Sequence, residues 1–201
     1  GQKPSLKFPS ATGGRLRHYK SWRPVEKATI SYGYGISASL LQMAQAYTIF
    51  ASDGYFLPAT LEKQNEAVTG ERVLSSRDAG RMRSMMQMVT QAGGTGTQAA
   101  INGYSVGGKT GTVHKLVNNS YAEKQYSGFF VGFAPVNNPR IIAAVMIDDP
   151  RSGSYYGGTV AGPVFSGAVQ QALQILQVPP DLPLQNTMVA QQSERGSDAT
   201  P

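Results

Sequence analysis

The residues with the clearest chemical potential lie in one stretch of ten, GYSVGGKTGT at residues 103–112. Its first eight residues match the pattern of glycine, any four residues and Gly-Lys-Thr, which is typical of a loop that cradles nucleotide phosphates. Its last four residues, Lys109 to Thr112, instead match the Lys-Thr-Gly element of serine enzymes that transfer acyl groups. The two interpretations predict different substrates and folds, so the surrounding sequence has to separate them.

The residues after Thr110 argue against the phosphate loop. Such a loop must lead directly into a helix, because the first N–H groups of that helix bind the phosphates. Here Gly-Thr-Val follows at 111–113, and glycine and β-branched residues are poor choices for a first helical turn. An apolar run that ends at Asp148 would offer a magnesium ligand, but a strand that ends in Asp before a turn is also ordinary. A P-loop nucleotide-binding protein therefore stays only as an alternative.

Composition limits the classes of function. The chain has 201 residues, of which 40% are hydrophobic and 15% charged, so it can bury a core. It has no cysteine, which excludes disulfides and thiolate metal sites. The net charge of +6 suits an anionic neighbourhood such as a membrane surface, a cell wall or nucleic acid, without choosing among them. The first residue is Gly, so we expect a piece of a longer protein.

Hydrophobic periodicity and capping residues predict three helices. They lie within residues 37–52, within 75–92 after a cap at Ser75 or Ser76, and from near Pro163 to about Gln177. Strands are predicted within 101–115, 126–135 and 140–148, with a hairpin turn at 136–138 and a short strand pair within 55–64. An irregular basic segment is expected at 1–30, a polar turn at 116–124 and a long loop at 149–162.

This order of elements predicts an α+β fold in which an antiparallel sheet is flanked by helices. The strand at 140–148 is apolar almost throughout, so we expect it in the sheet interior with both faces covered. From Val178 onward Pro, Gln, Ser and Asp dominate. The chain is therefore predicted to form one folded unit over residues 1–177 and a flexible C-terminal tail over 178–201.

Longer stretches around the Lys-Thr-Gly-Thr motif resemble one family. ISYGYGISASLLQMAQAYTIFASDGYFLPA, the glycine-rich loop before INGYSVGGKTGT, FFVGFAPVNNPRIIAAVMIDDP and YYGGTVAGPVF occur in the order and spacing of class B penicillin-binding proteins. The match is closest to the division-specific septal transpeptidases of the penicillin-binding protein 3 (FtsI) type, and it covers about residues 8–178. The resemblance implies part of a domain with the penicillin-binding protein and serine β-lactamase-like transpeptidase fold.

The resemblance also implies a function. It points to a peptidoglycan D,D-transpeptidase that forms cross-links in cell division and is acylated by β-lactam antibiotics. The implied partners are peptidoglycan stem peptides and membrane proteins of the divisome, with no nucleic acid. No metal or organic cofactor is implied. The implied location is the periplasmic face of the bacterial inner membrane, where an N-terminal helix outside this chain would anchor the parent protein.

Two motifs that such enzymes need are missing from this chain. The family uses a nucleophile in Ser-x-x-Lys and a second motif, Ser-x-Asn, and no serine here has Lys three residues on or Asn two residues on. In the family both motifs lie N-terminal to the segment that begins this chain. We therefore expect the C-terminal part of a transpeptidase domain, with its nucleophile and base elsewhere. A non-catalytic penicillin-binding sensor of the same fold stays an alternative.

The resemblance assigns roles to seven residues. The catalytic set comprises Lys109, Thr110, Gly111 and Thr112. The backbone N–H of Thr112 would donate to the oxyanion, a contribution that is worth ~10²–10³ in rate for a typical donor. The hydroxyls of Thr110 and Thr112 would bind the substrate carboxylate, Lys109 would supply positive charge, and Gly111 would let the ligand approach the backbone. The proposed rim for the substrate's acyl side chains comprises Tyr155, Tyr156 and Gly157.

Overall fold

The structure is a computed structural model that describes residues 3, 4, 6, 8, 11–117, 120–151 and 153–184, without the side chains of 116–124. Within these residues the helices are α1 (Pro24–Ile30), α2 (Leu40–Ala51), α3 (Ser76–Met88), α4 (Gly157–Val160) and α5 (Gly162–Ile175). The strands are β1 (Tyr55–Phe56), β2 (Glu71–Arg72), β3 (Gly107–Val117), β4 (Ser120–Ala134) and β5 (Ile141–Asp148).

The main sheet is antiparallel and its strand order is β3-β4-β5, with β4 in the centre. Gly111 lies opposite Phe129 and Thr112 lies opposite Gly128, which fixes the register of β3. Because side chains alternate along a strand, Phe129, Val131 and Phe133 face one side of β4 and Phe130 faces the other. The predicted α+β fold, with an antiparallel sheet flanked by helices, is confirmed.

Each face of the sheet carries an apolar core. On one side Phe130 packs against Phe165 of α5, with ring centroids 4.7 Å apart. On the other side Phe133 packs with Tyr47 of α2, and α3 lies beside them. The sheet is therefore the middle layer between α5 on one side and α2 with α3 on the other.

Helix starts agree with the predicted caps. Ser39 begins α2, and its hydroxyl accepts from the Gln42 N–H while the Gln42 side chain accepts from the Ser39 N–H. Ser75 caps α3 by accepting from the Asp78 N–H at 3.0 Å. Pro163 lies in the first turn of α5, where its missing N–H costs no hydrogen bond. Local sequence was sufficient to predict these three helices.

The segment at 1–30 is not irregular throughout, which corrects the prediction. Residues Pro24–Ile30 form α1, where Pro24 stands in the first turn and the Glu26 carboxylate accepts from the Arg23 N–H at 2.7 Å. This cap uses Arg23 at a position where Ser, Thr or Asp would be the usual signal. The helix is also only seven residues long, too short for a clear period.

Three strand predictions also need correction. Strand β1 pairs with β2 at 71–72 and not with residues after Pro58. The strands β3 and β4 continue through most of the predicted turn at 116–124, of which only residues 118–119 lie outside the described residues. In the described part of the chain β5 is an edge strand, although apolar clusters contact both of its faces as expected. Pairing partners are set by distant segments, which a local pattern does not reveal.

Two segments that were predicted to be irregular contain ordered structure. The predicted loop at 149–162 contains α4, whose Ala161 N–H donates to the Gly157 carbonyl at 2.9 Å. The start of the predicted tail also moves, because Val178 is buried and its carbonyl accepts from the Tyr104 hydroxyl at 2.7 Å. The rest of that prediction, residues 185–201, lies outside the described residues.

Replacing Phe165 by Ala should lower the free energy of unfolding by about 3–5 kcal/mol, because the buried ring leaves a cavity beside Phe130. Urea unfolding measures the change. Ile175→Ala on the same helix is the matched control, since that side chain is 81% exposed and its truncation should cost less than about 0.5 kcal/mol. Equal losses for the two variants would contradict the packing described for α5.

Glu26 should make stability depend on acid pH. Its hydrogen bond from the Arg23 backbone, with further help from Arg17, lowers its pKa from 4.5 to about 2. A lowered pKa means that its stabilising contribution is complete above pH 4.5 and is lost as the pH falls towards 2. The stability difference between wild type and Glu26→Gln, measured by urea unfolding, should therefore shrink over this range. Arg17→Gln should raise the pKa of Glu26 in an NMR titration. A pH-independent difference would contradict the assignment.

Candidate active site

The motif Lys109–Thr112 lies on β3, whose strand partner in the described residues is β4 alone. Within the described residues, no strand pairs with the other edge of β3. Successive side chains of the motif point to opposite faces, so Thr110 and Thr112 share one face while Lys109 lies on the other. Successive N–H groups also alternate in direction, so those of Thr110 and Thr112 point to the same side.

Two hydrogen bonds hold the threonine hydroxyls in place. Thr110 Oγ1 lies 3.0 Å from Oγ1 of Thr95, which belongs to the glycine-rich loop before β3. Thr112 Oγ1 accepts from the backbone N–H of Gly157, the first residue of α4, at 3.1 Å. Each hydroxyl is thus fixed by a different neighbouring turn, and the pair forms a small polar platform on one face of β3.

The two glycines that begin α4 allow this approach. A Cβ on Gly157 would lie 2.3 Å from the carbonyl oxygens of Gly111 and Phe129. A Cβ on Gly158 would lie 2.0 Å from the carbonyl oxygen of Thr95. Any larger residue would push α4 away from the sheet or displace the Thr95 loop. The closeness of these backbones is what brings Thr95, Thr110 and Thr112 together.

Lys109 is exposed and its ammonium lies beside the strand backbone. Its Nζ donates to the Thr110 carbonyl at 2.9 Å, and Thr110 Oγ1 lies 3.5 Å away. The charge therefore stands next to one of the two hydroxyls, within reach of an anionic group bound there. A cation beside a hydroxyl group, with a second hydroxyl on the same strand face as the first, is a suitable arrangement for a carboxylate.

Gly111 has a reason for being glycine that the sequence did not show. We predicted that a missing side chain lets the ligand approach the backbone. In the structure a Cβ at Gly111 would lie 2.0 Å from Cζ of Phe129, the residue opposite it on β4. The ring of Phe129 thus fills the space above Gly111, so packing inside the protein also favours glycine here, while the predicted approach of a ligand stays a prediction.

The proposed rim is part of a row of rings. Tyr155 stacks on Tyr126 of β4 at 4.1 Å between centroids, and Tyr126 contacts His114 of β3 at 4.4 Å. Tyr156 contacts Tyr155 at 4.6 Å and is 60% exposed. A hydrogen bond between the two hydroxyls, 3.4 Å apart, raises the pKa of Tyr155. The row leads from His114 of β3, two residues past the motif, to the start of α4.

The seven predicted residues fall into three groups. Four of them, Lys109–Thr112, lie on β3. Two more, Tyr155 and Tyr156, lie in the row of rings beside β3. The seventh, Gly157, is buried against β3 and contacts Thr112, so its predicted contact with a ligand stays a prediction. Sequence reasoning missed Thr95 and Tyr126. The glycine-rich loop around Thr95 was a signal, since glycine clusters mark places where backbones approach closely.

The phosphate-loop alternative is contradicted by the structure. Lys109 and Thr110 lie inside β3, and none of the described residues between them and β4 forms a helix. Gly103 has a different use, because it adopts a φ of +82° in the turn between Ile101 and Tyr104. In the described part of the chain no His, Asp and Glu side chains cluster as metal ligands. None of the described helices is long and apolar enough to cross a bilayer.

Comparison with known proteins agrees with this geometry. The family model described as penicillin binding protein transpeptidase domain matches residues 1–170. This chain belongs to that family. The resemblance to class B penicillin-binding proteins and the expected transpeptidase fold are therefore confirmed.

Relatives and a solved structure support the same assignment. The chain is 50% identical over 180 residues to the probable peptidoglycan D,D-transpeptidase PenA of Neisseria flavescens, covering 90% of this chain and 45% of the relative. It is 34% identical over 181 residues to the peptidoglycan D,D-transpeptidase FtsI of Escherichia coli K12, covering 90% and 31%. The apo transpeptidase domain of Burkholderia pseudomallei penicillin-binding protein 3 matches with a TM-score of 0.84 and 49% identity, covering 90% and 55%. The chain thus spans less than half the length of these curated relatives.

Gly157→Ala should lower the free energy of unfolding by about 1–3 kcal/mol, because the added Cβ collides with two backbone carbonyls. The same change should break the hydrogen bond to Thr112. Gly167→Ala is the matched control: apart from the nearby backbone of α5 itself, no described atom lies within 4 Å of its Cβ position, so alanine there should stabilise by about 0.5–1 kcal/mol. Urea unfolding measures both. A neutral Gly157→Ala would contradict the tight seating of α4 on β3.

Proposed function

We propose that this chain is the C-terminal part of the transpeptidase domain of a peptidoglycan D,D-transpeptidase that acts in cell division. Family membership and relatives that bear this name support the proposal. The observation that carries it is the pair of threonine hydroxyls on β3, beside Lys109 and next to an open strand edge. Such a site fits a peptide that ends in a carboxylate.

Counting hydroxyl hydrogens supports carboxylate binding. Each threonine hydroxyl donates one hydrogen bond. Thr112 Oγ1 accepts from Gly157, so its own hydrogen is left to donate. The Thr95 and Thr110 hydroxyls share one hydrogen bond, so one of their two hydrogens is also left. Two donors then remain for the two oxygens of a carboxylate, and Lys109 neutralises its charge. A β-lactam carries the same group.

The open edge of β3 supplies the second half of the site. A D-alanyl stem peptide would bind as an added strand, because the free N–H and C=O groups of an edge strand pair with an extended peptide. The Thr112 N–H would then donate to the oxygen of the scissile carbonyl as it becomes an oxyanion. This donor is rigid before the substrate arrives, because β4 holds the opposite edge of β3.

The chemistry divides between this chain and the rest of the parent protein. A serine outside this chain attacks the carbonyl carbon of the penultimate D-alanine and expels the terminal D-alanine. An amine of a second stem peptide then attacks the acyl-enzyme and restores the serine. This chain contributes the oxyanion donor at Thr112, the carboxylate site and the aromatic rim at Tyr155 and Tyr156. Action on the periplasmic face of the inner membrane and contact with divisome membrane proteins belong to the same proposal.

Lys109→Ala in the parent protein should slow acylation by fluorescent penicillin by about a hundredfold, because the bound carboxylate loses its cation. Time-resolved labelling on gels measures the second-order rate constant, and thermal unfolding should be unchanged within error. Lys63→Ala, an exposed lysine in the segment between β1 and β2, is the matched control and should label at the wild-type rate. An unchanged rate for Lys109→Ala would remove this residue from the site.

A second experiment tests whether the nucleophile lies outside this chain. This chain alone should show no penicillin adduct by intact-mass spectrometry, since its serines lack the Ser-x-x-Lys context. An adduct on this chain would contradict a nucleophile that lies elsewhere. A parent gene without Ser-x-x-Lys upstream of this segment would contradict the enzymatic proposal as a whole.

A further inference from the structure

A C-terminal segment is tied to the entrance of β3. The carboxylate of Asp181 accepts from the Ser105 backbone N–H at 2.7 Å, and its other oxygen accepts from the Ser105 hydroxyl. The backbone N–H groups of Asp181 and Leu182 both donate to the Gly103 carbonyl at 3.1 Å. We call these contacts between residues 181–182 and residues 103–105 the C-terminal clasp.

Through Ser105 the clasp is also connected to the turn after β4. Ser105 is 2% exposed, and its Oγ also accepts from the Val136 N–H at 2.8 Å. Val136 lies in the turn that joins β4 to β5. Asp181 therefore orders one buried hydroxyl that links the start of β3 to the far end of β4. A carboxylate suits this place because it only accepts hydrogen bonds, and Ser105 offers it two donors.

Within the described residues other contacts also hold the entrance of β3. The Val106 carbonyl accepts from the Thr90 hydroxyl at 2.8 Å, Val106 is buried, and Gly107 pairs with Phe133 of β4. The clasp adds the hydrogen bonds that fix Ser105 itself. Ser105 precedes Lys109 by four residues, about 13 Å along an extended strand. A shift at Ser105 is therefore transmitted along a short rigid strand to the motif.

We propose that Asp181 is a positioning residue for the acyl-transfer site: by holding Ser105 it fixes the start of β3 and hence the placement of Lys109–Thr112. This inference rests on the proposed function of the site. It adds a residue 69 positions after Thr112 in the sequence to those that set the geometry of the oxyanion donor. Asp181 touches no substrate and acts through Ser105.

The test measures two quantities in the parent protein: the rate constant of acylation and the fraction of protein that is finally labelled. Asp181→Ala should lower the first-order rate constant of acylation at saturating fluorescent penicillin by about ten- to a hundredfold, because small misplacements of reacting groups have effects of this size. The fraction of protein labelled at the end should stay at the wild-type level. Asp181→Asn keeps one acceptor oxygen for Ser105, so its acylation rate constant should fall less than that of Asp181→Ala. A purely stabilising residue would instead lower the labelled fraction and leave the rate constant unchanged.

Asp53 provides the matched control. Its carboxylate pairs with Arg83 at 2.9 Å between α2 and α3, and neither residue contacts the clasp. Asp53→Ala and Asp53→Asn remove the same charge and should leave the rate constant unchanged. Equal rate losses at Asp53 and Asp181 would overturn the proposal, and so would a wild-type rate constant in Asp181→Ala.

Hydrogen exchange separates this inference from the proposed function. In the parent protein, Asp181→Ala should speed amide exchange over residues 105–112 well below the unfolding temperature, whereas Asp53→Ala should not. This readout needs no penicillin chemistry. A wild-type protein that is not labelled would contradict the proposed function alone, while unchanged exchange in Asp181→Ala would contradict the positioning role alone.

Discussion

The strand β3 keeps its extended shape beside an edge that has no strand partner in the described residues because β4 pairs with its other edge along most of its eleven residues. An unsupported strand would lose its extended shape, since each ordered residue costs about 1–2 kcal/mol of backbone entropy. The central strand β4 is in turn fixed on both faces by aromatic residues, with Phe130 against α5 and Phe133 against α2. The core on both faces of the sheet therefore holds β4 in place, and β4 in turn holds the motif strand β3.

Glycine is the second condition for this site. Gly157 and Gly158 let α4 lie directly on the backbones of β3, β4 and the Thr95 loop, and Gly111 makes room for Phe129. These glycines are needed because other parts of the protein occupy the space where a side chain would be. As a consequence, each of the two threonine hydroxyls on β3 is held by a hydrogen bond to a separate turn.

The start of β3 is also fixed by distant segments, through the hydrogen bonds of a buried polar residue. Ser105 is buried and its hydroxyl would be costly if it were unpaired, yet it meets Asp181 on one side and Val136 on the other. The segment after α5 therefore belongs to the structural unit that carries the site. The placement of β3 therefore depends both on residues close to the motif and on residues about 70 positions later in the sequence.

The sequence by itself determined the motif at Lys109–Thr112, the helices α2, α3 and α5, the α+β class and the family. These features depend on local patterns, such as a serine before a helix or alternating apolar residues, and on the spacing of short motifs. Only the tertiary structure decided which strands pair, why Gly111 is glycine, that Thr95 and Gly157 hold the two threonines, and that Asp181 reaches Ser105. The physical reason is that each of these is a contact between segments far apart in sequence, and neither partner carries a local sign of the other.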